Sequence, residues 1–142
     1  MSGEFHVSLP AKLSAVRGLA EMVEEFGDAN RLSPSKVYMI NLALEELITN
    51  TVSYGLEGVV DPQIGIGMHV RDGVLAVTVV DNGHPFDPTQ DTNPDLSSPI
   101  DERPIGGLGL HLVKVFADRI AYEYAEGRNC LTLEHDLASG DA

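Results

Sequence analysis

Three short segments of the chain carry residue types that can do chemistry. The first, Glu45-Glu46-Leu47-Ile48-Thr49-Asn50, sets a carboxylate and an amide four residues apart. At helical pitch Glu46 and Asn50 share one face. A carboxylate there can accept a proton or orient a nucleophile. A side-chain amide oxygen is a hard, neutral donor of the kind Mg²⁺ takes. The second segment, Val79-Val80-Asp81-Asn82-Gly83-His84-Pro85-Phe86-Asp87, ends an apolar run on a carboxylate. A carboxylate buried at a strand end needs a donor partner, and the exocyclic amine of a purine is one such donor. Gly83 permits close approach to the backbone. The third, Ile105-Gly106-Gly107-Leu108-Gly109-Leu110-His111, precedes a helical pattern. Free N–H groups at a helix start favour phosphate. It is not the dinucleotide fingerprint, because position 112 is leucine, and it is not a P-loop, because no Gly-Lys-Ser/Thr follows. Taken singly, each segment has a plainer reading: a solvated helix face, an Asp-Asn-Gly turn, a flexible loop.

The elements that must position these segments are legible from periodicity. Phe5, Val7 and Leu9 alternate with polar neighbours, a short strand ended by Pro10. Leu13, Val16, Leu19, Ala20, Val23 and Phe26 form one stripe, predicting a helix over about 12–26 that Gly27-Asp28 closes. Ser33 reads as an N-cap and Pro34 as a first helical residue. The helix they open carries Val37, Ile40, Leu44, Leu47 and Ile48 and stops near Gly55. Strands over about 63–70 and 74–80 flank Asp72-Gly73, a strong hairpin signal. Residues 84–105 hold five of the eight prolines and five acidic residues without periodicity. A loop that long is usually functional. A helix over about 108–118 and strands over about 120–126 and 130–135, turning at Gly127-Arg128, complete the order β-α-α-β-β-loop-α-β-β. That order predicts an α+β fold, a two-layer α/β sandwich with a mostly antiparallel mixed sheet covered on one face by helices.

Composition sets outer limits. At 142 residues the chain is expected to be a single domain, 1–142. Nine Lys and Arg stand against 22 Asp and Glu, for a formal charge of −13. Nucleic-acid binding leans on cations that neutralise phosphates, so no direct nucleic-acid partner is expected. A polyanionic ligand would need a divalent cation and backbone N–H groups to supply positive field. No apolar run approaches the roughly 20 residues of a membrane span, and the N-terminus lacks a signal-peptide pattern. One cysteine, Cys130, leaves no internal disulfide; it reads as a small core residue, and a cytoplasmic setting is expected. The five histidines share no metal-ligand spacing.

Together, and in this order, the three segments resemble the N-box, adenine box and second glycine box of the GHKL ATPase superfamily. Three details resemble its small anti-sigma factor serine kinase branch: Glu46 followed by x-x-Thr-Asn, Asp81-x-Gly83 running into Pro-Phe-Asp, and a glycine box that continues as Leu-His-Leu-Val-Lys. The resemblance implies ATP and Mg²⁺ as cofactors. It makes Glu46 the general base toward a protein serine, Asn50 the Mg²⁺ ligand, and Asp81 the acceptor for the adenine amine. It has Gly83 admitting the base, Gly107, Gly109 and Leu110 lining the phosphates, and residues 84–105 acting as a lid over ATP. It implies a STAS-class anti-anti-sigma protein as the phosphorylated partner, a sigma factor as a second partner, and homodimers among relatives of this size. The alternative is a nucleotide-gated protein-binding module of the same fold that transfers nothing. One departure stands out. Relatives often place a threonine that helps hold adenine where this chain has Asn129, so Asn129 is expected to supply that hydrogen bond.

Overall fold

A computed structural model describes residues 3–87 and 113–137. Five strands form one sheet: β1 (Glu4–Leu9), β2 (Ile64–Arg71), β3 (Val74–Asp81), β4 (Arg119–Ala125) and β5 (Arg128–Asp136), in spatial order β1-β2-β3-β5-β4. Two helices, α1 (Ala15–Ala29) and α2 (Pro34–Asn50), precede β2, and a π-helical segment, Thr51–Gly55, continues α2. The layered architecture and the order of the described strands and first two helices agree with the sequence reading; most of the expected loop and helix over 84–118 lies outside the described residues. Every pairing among the described strands is antiparallel, so the mixed character expected of the sheet is not found there.

Period-2 alternation explains the layering. Ile64, Ile66 and Met68 of β2, Leu75, Val77 and Val79 of β3, and Leu131 and Leu133 of β5 are buried. They share one core with Leu19, Val23 and Phe26 of α1 and Ile40, Leu44, Leu47 and Ile48 of α2. Phe26 is wholly buried and meets Phe5 edge-to-face at 5.5 Å. Removing a side chain of that size from water contributes about 2–3 kcal/mol. Cys130 follows the opposite parity from Leu131 and is only partly buried, so it is not the core residue the sequence suggested.

Both hairpins use two residues with positive φ, Asp72-Gly73 (53° and 75°) and Glu126-Gly127 (55° and 75°). That geometry matches the right-handed twist of the flanking strands. The second turn lies one residue earlier than expected. Ser33 caps α2 as predicted, its Oγ accepting from Lys36 N–H at 3.2 Å, with Pro34 at the first turn. No helix among the described residues is long and apolar enough to cross a membrane.

The end of α1 departs from the sequence reading. The helix runs through Gly27-Asp28 to Ala29, and Arg31 (φ 58°) makes the turn into α2. Gly27 is there for packing, not termination: a Cβ on it would stand 2.5 Å from Val37 Cγ2, across the α1–α2 contact. Glycine inside a helix ordinarily costs about 1 kcal/mol relative to alanine. Here the sign should reverse, because valine in a helix has essentially one rotamer and cannot turn aside. Gly27→Ala is expected to destabilise the fold by about 1–3 kcal/mol in urea unfolding, and adding Val37→Ala should recover most of that loss.

Candidate functional site

Helix α2 delivers the first pair as the spacing predicted. Asn50 Nδ2 donates to Glu46 Oε2 at 3.2 Å. That bond uses the amide's donor end, and Asn50 Oδ1 is buried with no hydrogen-bond partner among the described residues. An orphaned buried acceptor costs about 1–3 kcal/mol, so a native structure that keeps one invites a reason. A hard cation is a fitting one, since it needs a neutral oxygen donor and no proton. Burial pushes the Glu46 carboxyl above its ordinary value; the Asn50 hydrogen bond pulls it part of the way back, and neighbouring Glu45 adds to the rise. Among the described residues Glu46 Oε1 makes no hydrogen bond, which leaves it open to a proton.

The second segment sits at the end of β3, beside the end of α2. The junction is one carbonyl. The π-helical turn closes with Leu56 N–H donating to Thr51 O at 3.0 Å, an i to i−5 bond. Gly55 O then accepts from His84 N–H at 2.9 Å. Gly83 lies flat against the same carbonyl: a Cβ there would meet Gly55 O at 2.4 Å and Asp81 Oδ1 at 2.9 Å. The missing side chain is thus required by the fold itself, a role the sequence reading did not assign. Asn82 fixes the approach from the other side, accepting from Gln63 N–H at 2.8 Å and donating to Asp61 O at 3.0 Å.

Asp81 is buried to 9% exposure. Its Oδ1 accepts from Gly83 N–H at 2.8 Å and from Asn129 Nδ2 at 3.0 Å. Its Oδ2 makes no hydrogen bond among the described residues and can accept an amine. Asn129, on β5 directly opposite Asp81, differs from expectation. Besides Asp81, its Nδ2 donates to His84 O at 2.9 Å. Its Oδ1 accepts from Phe86 N–H at 3.1 Å and from the Tyr122 hydroxyl. Both ends of the amide are committed within the chain, so it has no hydrogen bond left for a base. Neither the burial of Asn129 nor its four partners, drawn from the 81–86 segment and β4, was legible in the sequence.

Gly107, Gly109 and Leu110, with residues 88–105 of the expected lid, lie outside the described residues. Just beyond them, residues 113–116 are helical, and Val113 and Phe116 are in the core. Phe116 stacks on His135 at 4.4 Å, and His135 bridges Phe116 O (2.8 Å) to the buried Lys36 Nζ (2.7 Å). This contact fastens the segment after the glycine box to the start of α2.

A family model described as Histidine kinase-like ATPase domain matches residues 9–135. The chain is 28% identical over 111 residues to the serine/threonine-protein kinase BtrW of Bordetella bronchiseptica, covering 78% of each chain. It is 34% identical over 92 residues to the serine-protein kinase RsbW of Listeria innocua, covering 62% of this chain but only 59% of that one. Among solved structures, the RsbU and RsbW domains of Rv1364c from Mycobacterium tuberculosis align at a TM-score of 0.67 and 18% identity, over 95% of this chain and 32% of that chain. The histidine kinase domain of the Erythrobacter litoralis EL346 blue-light activated histidine kinase aligns at 0.58 and 14% identity, over 89% of this chain and 61% of that one. At such identities these two show a shared fold.

Two stability measurements probe this geometry. Gly83→Ala should cost about 1–3 kcal/mol, because neither the Gly55 carbonyl nor the Asp81 carboxylate can retreat without breaking its own bonds. Gly55→Ala is the control, since its Cβ would stand 3.9 Å from Thr51 Cγ2 and should be nearly neutral. Glu46→Gln should act in the other direction. A carboxyl whose folded value is raised favours the fold while protonated, below its ordinary value of 4.5, and loses that contribution as pH rises through the folded value. The glutamine variant is therefore expected to melt higher than the parent at pH 8, with the difference vanishing near pH 4. A constant difference across that range would mean that Glu46 is not held uncomfortably in the fold.

Proposed function

Because this chain belongs to the histidine kinase-like ATPase domain family, we propose that it is an ATP-dependent protein serine kinase and anti-sigma regulator. In this reading it binds ATP with Mg²⁺ and phosphorylates a serine of a STAS-class anti-anti-sigma protein, with a sigma factor as its other partner. The observation that carries the reading is the buried, unpartnered Asn50 Oδ1 beside Glu46. A module that only bound proteins would have no use for an orphaned oxygen next to a carboxylate of raised proton affinity. The kinases named among its relatives favour transfer over binding alone.

The residues divide the work. Asp81 Oδ2 accepts from the adenine amine, and Gly83, packed against the Gly55 carbonyl, is assigned to the edge of the base site. Asn50 Oδ1 holds Mg²⁺, and Gly107, Gly109 and Leu110 are assigned to the phosphates. Bound Mg²⁺ supplies charge neutralisation across the phosphate oxygens, which a surface of net charge −13 cannot supply. Glu46 takes the proton of the incoming serine hydroxyl at Oε1, while Asn50 Nδ2 holds Oε2 and fixes the carboxylate plane. The raised proton affinity of Glu46 serves that step, since a base works best with a value nearer the working pH.

Paired measurements on two variants test the division. Glu46→Gln should leave Mg·ATP affinity within a few-fold by calorimetry, yet lower single-turnover phosphorylation of the partner serine by at least the roughly 10²-fold typical of losing a general base. Asn50→Ala should damage both affinity and transfer. Wild-type transfer rates in the Gln variant would remove Glu46 from the base role. Transfer by neither variant nor parent to any candidate partner would favour the nucleotide-gated binding module.

A further inference from the structure

Asn129 has the most fully used side chain of the described residues in the site, and the proposed mechanism gives it nothing to do. It is 6% exposed. An amide side chain offers two donor hydrogens and two acceptor lone pairs. Its two hydrogens go to Asp81 Oδ1 at 3.0 Å and His84 O at 2.9 Å, with Gly83 O farther off at 3.5 Å. Its oxygen takes Phe86 N–H at 3.1 Å and the Tyr122 hydroxyl. The orientation of the amide is determined by these partners. A flipped amide would turn its oxygen toward a carboxylate and a carbonyl, neither of which can donate. Burial pushes the Tyr122 phenol up, so it keeps its proton and remains a donor.

Resting on the adenine-site reading above, we infer that Asn129 is the positioning residue of the base subsite. Its amide holds Asp81 Oδ1, which turns Oδ2 toward the base, and it pins residues 84–86 to β5 without touching the base itself. Two consequences are specific to this arrangement. Recognition of the 6-amino group passes through Asp81 alone, yet depends on a residue one strand away. The backbone leaving the site is fastened to the same amide, so a disturbed carboxylate and a loosened 84–86 segment go together. No side chain with a single hydroxyl can replace it, because two donors and two acceptors are in use.

The test separates a positioning role from a merely structural one by changing the ligand as well as the residue. Calorimetric affinities would be measured for Mg·ATP and for the Mg complex of purine riboside triphosphate, which lacks the 6-amino group. The proteins are the parent, Asn129→Asp and Asn129→Ser. The parent should prefer ATP by more than about tenfold. Asn129→Ser should lose most of that preference, falling to roughly threefold or less, by weakening ATP and sparing the analogue.

Asn129→Asp adds a pH signature. At pH 8 it sets a second carboxylate about 3 Å from Asp81, and the preference for ATP should collapse. At pH 5.5 the two carboxylates can share one proton, which restores a donor toward Asp81 Oδ1, and the preference should return to within about threefold of the parent. Other groups facing this position are Tyr122 and Tyr124 of β4, Asp87, and His84, whose ring turns away to Glu57 O. Nucleotide titration is common to all the proteins and cancels in the ratios. If either variant folds and keeps the parent's ATP-over-analogue ratio at pH 8, the inference is overturned. So too if the Asp variant shows the same loss at both pH values. A parent that binds no Mg·ATP would instead overturn the adenine-site reading on which the inference rests.

Discussion

The backbone carbonyl of Gly55 is the constraint on which the site depends. It is the point where α2, by way of its π-helical extension, reaches the end of β3. A regular α-helical turn closes with i to i−4 bonds, but here Leu56 N–H reaches back to Thr51 O. The wider turn adds a residue to the pitch and re-aims the chain beyond it. Gly55 O is thereby brought to His84 N–H and to the bare Cα of Gly83. Glu46 and Asn50, on the last turns of α2, are then tied to Asp81 through a junction of a few residues. A helix-borne carboxylate–amide pair and a strand-borne carboxylate have no other direct connection among the hydrogen bonds described. The glycine at 83 is thus required by the fold itself, which leaves no room for a Cβ there.

How much of this was legible in the sequence depends on the range over which each feature is decided. The strand over about 63–70, the Asp72-Gly73 turn and the Ser33-Pro34 helix start are set by neighbours within a few residues, and each stands as read. So does the sharing of a face by Glu46 and Asn50. The misreadings concern residues whose meaning lies across the fold. Gly27 resembles a helix terminator locally, but Val37 on the next helix decides its role. Asn129 looks like a turn-adjacent polar residue able to take a ligand. Its amide is consumed by Asp81, His84, Phe86 and Tyr122, which lie 48, 45, 43 and 7 residues away in sequence. No periodicity encodes partners at such separations. The π-helical turn was invisible for a related reason, since its pitch is decided by how α2 must meet β3.

Electrostatics divides the molecule into a repelling surface and a compensating interior. A net charge of −13 spread over the chain disfavours any polyanion at long range. Within a Debye length of about 8 Å at physiological salt, local groups decide instead. Among the described residues, the groups at the site are neutral amides and carboxylates. Under the ATP-binding reading proposed above, such a site would gain its positive field from a cation bound along with the anion, and a free nucleotide and its magnesium complex should not be equivalent to it.

The two unfavourable features of α2 are one arrangement seen from two atoms. Asn50 satisfies one amide hydrogen through Glu46, and its own oxygen has no partner among the described residues. Glu46 gains that hydrogen bond, yet burial still raises its affinity for a proton. Rotating Asn50 to satisfy its oxygen would withdraw the donor from Glu46 and leave a half-buried carboxylate with less support. Neither residue can therefore be relieved from within the pair. Relief has to come from a third group that offers positive charge to Asn50 Oδ1 and a proton to Glu46 Oε1. Under the kinase reading proposed above, a hard cation would meet the first need and a protein hydroxyl the second. The pair lies on the helix whose far end is clamped, through Lys36 and His135, to the segment that follows the glycine box.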